Sequence, residues 1–146
     1  MKCFFSPLAV LLLCLVAPLS ASAPQKEKFN QGPWENEIGY AQAVRVGNLV
    51  YISGSTGSGP MPQAIGQAMG GIQRSLEHYK LGFANVVKEN IYTTDIEALK
   101  AHKELRKAYY KGDFPAATWV QVVRLFNPEQ VIEIEVVAVI PEKAAN

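Results

Sequence analysis

The chain has 146 residues, 49% of them hydrophobic, and its 14 Lys and Arg against 13 Asp and Glu leave a formal charge of +1. Basic and acidic residues are interspersed, so the chain lacks the positive footprint that non-specific nucleic-acid or anionic-membrane binding requires. Both cysteines, Cys3 and Cys14, lie near the start, and the rest of the chain has no thiol for a nucleophile, a thiolate metal site or a disulfide.

Met1 and Lys2 precede an almost wholly apolar run over residues 3–16 and a small-residue stretch over 17–23. This is the pattern of a secretory signal peptide over residues 1–23, with cleavage after either Ser22 or Ala23. Leu13 before Cys14 argues against a lipoprotein. The run is shorter than the roughly 20 residues of a spanning helix, so an exported protein, periplasmic or secreted, without membrane association after cleavage is expected. About 120 residues then remain, enough for one domain with its own core.

Residues 24–39 are polar and carry Gly32 and Pro33, which reads as an extended or mobile arm. The domain itself is placed at 40–141, followed by a tail at 142–146. Val44 and Val46 alternate with Arg45, Gly47-Asn48 is a turn dipeptide, and residues 49–52 resume as strand, together a hairpin. Residues 53–59, with three glycines, read as a loop; no Gly-Lys-Ser/Thr follows to make it a phosphate cradle. From Ile65 the positions Ala68, Met69, Ile72, Leu76 and Tyr79 recur at helical spacing, ending at Gly82 as a left-handed C-terminal stop.

Residues 86–93 read as a strand with Val87, Ile91 and Thr93 on one face and Lys88, Asn90 and Tyr92 on the other. Thr94 to Glu97 fits a capping box that opens a second helix, with Leu99, Leu105 and Tyr109 inward and Gly112 as its stop. Strands over 116–125 and 131–140 complete the order ββαβαββ. Neither His78 nor His102 has an acidic or cysteine partner at ligand spacing, so no metal site is indicated.

Each helix carries one apolar stripe, which predicts an α+β fold with both helices on one face of the sheet. The last strand is apolar on both sides, Ile132, Ile134, Val136 and Ala138 alternating against Val131, Val137 and Val139. Burial on both faces follows, and so small a domain covers its open face by self-association.

Four ordered blocks, YAQAVRVGNLVYISG from Tyr40, GFANVVKENIYTTD from Gly82, FPAATWVQV from Phe114 and IEIEVVAV from Ile132, resemble the RidA family, also called YjgF or L-PSP. They cover essentially the whole domain after the arm. The resemblance implies a chorismate-mutase-like fold, a homotrimer whose sheets surround a central barrel, and three clefts between subunits. It also implies hydrolysis of enamines and imines such as 2-aminoacrylate to 2-keto acids and ammonia, without any cofactor.

The family's best-known branch grips the substrate carboxylate with an arginine in a Pro-Ala-Arg block, which here reads Pro115-Ala116-Ala117-Thr118, so Ala117 stands at the arginine position. Trp119, on the same side by strand alternation, stands where that branch often has a small cysteine. It either stacks on a flat ligand in a cleft or buries area between subunits. Loss of a charge-assisted carboxylate contact costs roughly 1.5–3 kcal/mol. Arg124, seven positions from Ala117, falls on the opposite face, which leaves Arg45 as the better substitute.

Tyr40 at the cleft border, Ser53 and Gly54 at the strand end that meets the ligand, and Glu133 in the closing motif match family site positions. Glu133 and Glu135 lie two apart on one strand, so their carboxylates share a face at roughly 7 Å. That proximity keeps one partly protonated or lets it orient a hydrolytic water. The expectation is an exported homotrimer binding a small molecule, a cofactor-independent deaminase of a non-standard imine, with Glu133 catalytic and Tyr40, Ser53, Gly54, Ala117 and Trp119 lining the site. The alternative is a non-enzymatic ligand-binding or holdase-like trimer. Endoribonuclease activity, often attached to the family name, finds no basic groove and no histidine pair.

Overall fold

A computed structural model describes residues 23–142; residues 1–22, which hold nearly all of the expected signal peptide and both cysteines, and residues 143–146 of the expected tail lie outside the described residues. The chain runs β1 (Glu27–Phe29), α1 (Trp34–Ile38), β2 (Ala43–Val46), β3 (Leu49–Ser58), α2 (Met61–His78), a 3-10 turn (Phe83–Asn85), β4 (Val86–Thr93), α3 (Ile96–Ala101), α4 (Lys103–Tyr110), β5 (Ala116–Gln121) and β6 (Gln130–Val139). These strands form a six-stranded sheet in the order β1-β2-β3-β6-β4-β5. Only β4 and β5 pair in parallel, the geometry that a helical crossover through α3 and α4 permits. The ββαβαββ order is therefore present, preceded by β1 and α1. No helix among the described residues is long and apolar enough to cross a membrane.

Pro60 and Pro62 suit the start of α2, and its stripe of Ala64, Ile65, Ala68, Met69, Ile72 and Leu76 is fully buried. It packs on Val50 and Ile52 of β3 and on Ile132, Ile134, Val136 and Ala138 of β6. Each large aliphatic side chain so buried contributes about 1.5–3 kcal/mol. The helix ends before Gly82. Lys80 takes the left-handed conformation at φ 58, and the Leu81 N–H donates to the Leu76 carbonyl at 2.9 Å. Returning Leu81 to the core requires the turn at Lys80, and Gly82 is extended.

β3 continues through the glycine-rich segment that reads as a loop. A Cβ on Gly57 would stand 2.0 Å from the Ala64 carbonyl oxygen; small residues here let α2 lie close against a strand. In β4 the register shifts between Val86 and Lys88, so Val86 is buried, Val87 is turned out, and Glu89 joins Ile91 and Thr93 inside. β5 stops at Gln121, four residues short of the expected end.

The second helix is capped by Asp95, whose carboxylate accepts from the Ala98 N–H at 2.9 Å, and it breaks at His102 into α3 and α4. The break shifts the inward stripe: Leu99, Arg106 and Tyr110 are buried, whereas Leu105 is exposed. Glu89 is the reason. Its buried carboxylate accepts from Arg106 Nε and from the Tyr110 hydroxyl, each at 2.6 Å, and a buried charge requires such partners.

The polar arm is pinned to the domain. β1 pairs with β2, the Phe29 ring stacks on His78 at 3.8 Å, and Gln31 donates to Ser75 Oγ at 3.1 Å. Buried Glu35 accepts the Gln31 N–H, which orients α1. Helices α2, α3 and α4 cover one face of the sheet, and the other stays open.

Candidate functional site

β3 pairs with β6 as Ile52↔Val136, then as Ser55↔Ile134 and Thr56↔Glu133. The extra residue falls at Ser53-Gly54, a β-bulge, which bends the strand and resets its side-chain parity. Val50 and Ile52 face the helices before it, whereas Thr56 joins Glu133 on the open face after it. Ser53 is held on three sides. Its hydroxyl donates to the Ala41 carbonyl at 2.8 Å and its N–H to the Gln42 carbonyl at 2.9 Å, while its carbonyl accepts from Gln42 Nε2 at 3.2 Å.

Gly54 lies beneath Glu133: a Cβ there would stand 1.9 Å from Glu133 Oε1. The alternation of β6 sends Glu133 and Glu135 to the same open face, but their surroundings differ. Glu135 accepts from Asn90 Nδ2 at 2.7 Å and from the Tyr92 hydroxyl at 3.0 Å. That hydrogen bond, ahead of burial, raises the Tyr92 phenol. Glu133 is raised above the ordinary carboxyl range by partial burial and then by the charge of Glu135, so it holds its proton to higher pH.

A cleft of about 510 Å³ opens over these groups, with Tyr40, Ser53, Gly54, Thr56, Glu133 and Glu135 along it, a volume suited to a small molecule. Trp34 and Ile38 from α1 and Phe126 from the β5–β6 connection wall it, and Asn127 and Gln130 add polar groups. Sequence reasoning missed Trp34 and Ile38. Their spacing of four residues, between Pro33 and the left-handed Gly39, is the available signal for one helical turn presenting an apolar edge. A larger groove of about 700 Å³ between α2 and α4, with Leu81, Phe83 and Tyr109 in its wall, contains neither sheet carboxylate.

Tyr40, Ser53, Gly54 and Glu133 thus meet in one cleft, and Ala117 and Trp119 do not join them within the chain. Both lie on the edge strand β5, paired with Glu89 and Ile91, which puts them on the helix side of the sheet. Trp119 packs at the margin of the core with the Arg106 guanidinium 5.1 Å from its ring. Its Nε1 has no hydrogen-bond partner among the described residues. Arg45 is engaged by Glu27 at 3.3 Å and the Gly47 carbonyl at 2.9 Å. Arg124 lies past the end of β5, where alternation no longer sets its side, and donates to the Leu125 and Phe126 carbonyls.

Residues 34–140 match the family described as endoribonuclease L-PSP. The chain belongs to this family, the RidA or YjgF family. It is 35% identical over 109 residues to the human 2-iminobutanoate/2-iminopropanoate deaminase, covering 68% of this chain and 79% of that protein. A RutC family protein of Aquifex aeolicus is 35% identical over 111 residues, covering 68% and 87%. A crystal structure of a Mycobacterium tuberculosis member of the YjgF/YER057c/UK114 family superposes with a TM-score of 0.74 at 30% identity, over 80% of this chain and 100% of that one. The RidA-family match begins at Trp34, so it takes in α1 and the wall that α1 gives the cleft.

Proposed function

We propose that this RidA-family protein is exported and forms a homotrimer with small-molecule clefts between subunits, where it hydrolyses an enamine or imine other than free 2-aminoacrylate. The observation that carries this is Glu133 seated over the Ser53-Gly54 bulge in the cleft. A carboxyl with a raised pKa in such a place is suited to carry a proton from attacking water to leaving nitrogen. Glu135, fixed by Asn90 and Tyr92, keeps a second charge beside it. The relatives named as imine deaminases support the reaction class. The leader pattern over residues 1–23 supports export.

Support for the trimer comes from the open sheet face, where Tyr51 is 47% exposed beside Val44 and Val137. A second copy brings its own edge strand, with Ala117 and Trp119, as a means of closing the cleft. Among the described residues the cleft is lined by Glu133 and Glu135 and by no Lys or Arg, which argues against a grip on an RNA backbone. A non-enzymatic ligand-binding or holdase-like trimer is the alternative, favoured by Ala117 at the carboxylate-reading position.

Release of carbonyl product and ammonia from a panel of imines decides between them. Turnover by the parent protein should fall by about 10²–10⁴-fold in Glu133→Gln. If the parent turns over no imine while Ala117→Arg gains 2-aminoacrylate hydrolysis, the enzyme is rejected and the binding protein stands.

A further inference from the structure

We infer that the cleft selects a cation: an amine or iminium that lacks a carboxylate and carries a flat or branched apolar body. This rests on the cleft being the ligand site proposed above, and it names the ligand class. The floor holds two carboxylates, Glu133 and Glu135, and among the described residues no lysine or arginine lines the cleft. The nearest cations do not line the cleft: Arg124 turns to the Leu125 and Phe126 carbonyls and Lys88 to Thr118 at 2.9 Å. Arg106, close to Ala117 through their shared neighbour Glu89, is neutralised by that buried carboxylate. On the groups this chain gives the cleft, a ligand carboxylate would meet like charge, whereas an ammonium or iminium would meet opposite charge in a partly desolvated site.

The walls specify the rest of the ligand. Trp34, Ile38 and Phe126 are 48%, 56% and 69% exposed, and with Tyr40 they place aromatic faces and a branched aliphatic chain around the acidic floor. Aromatic faces attract a cation and bury a flat apolar body. A small imino acid would leave these walls in water. For an iminium the step balances without a cofactor. Water oxygen bonds to the iminium carbon and Glu133 relays one of its protons to nitrogen; the carbon–nitrogen bond then breaks as the carbinol hydroxyl becomes the carbonyl and gives its proton through Glu133 to the departing ammonia. Iminium and water give carbonyl compound and ammonium.

Binding of phenethylamine and of phenylalanine, which differ by one carboxylate, tests the inference on the assembled protein by calorimetry. Phenethylamine should bind at least about tenfold tighter, the scale of one charge-assisted contact. Glu133→Gln should erase most of that preference, and Trp34→Ala, at an exposed position, should weaken phenethylamine by about three- to tenfold. Phenylalanine binding as tightly as phenethylamine, or no binding of phenethylamine, overturns the assignment. The same preparations are assayed for imine turnover. A retained amine preference with no turnover rejects the hydrolase and keeps the ligand class, whereas turnover of imino acids without amine preference does the reverse.

Discussion

Gly54 and Glu133 show how one missing methyl group shapes this site. The carboxylate of Glu133 occupies the volume that a side chain at position 54 would need. Because the displaced group is the end of a flexible side chain, Gly54→Ala should leave the melting temperature within a few degrees of the parent, a change of about 1 kcal/mol or less. Turnover should fall about a hundredfold, since a shift of about 1 Å at a reacting group costs that much, and most of the roughly tenfold amine preference should be lost with it. Unchanged function together with a large loss of stability would mean that Gly54 serves the strand and not the carboxylate. The face that Glu133 shares with Glu135 was legible in the sequence from strand parity, whereas its choice as the site carboxylate came from the match to a family position. The bulge that brings Ser53 and Gly54 beneath it was not legible, since small residues carry no hydrophobic alternation to mark a shift in register.

Among the elements, α4 was read least well, and the cause lies on another element. A period of 3.6 residues running unbroken from Ile96 puts Leu105 inward, but the buried carboxylate of Glu89 on β4 draws Arg106 and Tyr110 in instead. Nothing near Glu89 in the sequence names a partner 17 residues away. Removing one member of such a pair leaves an uncompensated buried charge, so Arg106→Met should cost about 3–5 kcal/mol in urea unfolding. Combining it with Glu89→Leu should recover most of that loss. A single variant as stable as the parent would show that solvent reaches the pair. β1 and α1 were hidden for a related reason. Their polar sequence has little apolar surface of its own, and they are held by Phe29 on His78, Gln31 on Ser75 and the Gln31 N–H on the Glu35 carboxylate.

At the scale of the whole molecule, two faces of one sheet have different fates. One is sealed by α2, α3 and α4; the other presents Val44, Tyr51 and Val137 around Lys88, Asn90 and Glu135. Sedimentation equilibrium should give the mass of three chains, and Val137→Asp, which puts a charge on the open face beside Tyr51, should give single subunits with weakened ligand binding. A parent mass near that of one chain would refute the trimer.

The sequence by itself determined the ββαβαββ order after the arm, the apolar stripe of α2, the two-sided character of β6 and the shared face of Glu133 and Glu135. Each of these follows from a local period of two or 3.6 residues and the burial it demands. Only the tertiary structure decided the rest: the bulge under Glu133, the apolar wall contributed by α1, the distance of Ala117 and Trp119 from the cleft of their own chain, and the capture of Arg106 by Glu89. These depend on strand register and on contacts between residues distant in the chain, where a single buried charge or one extra residue overrides local periodicity.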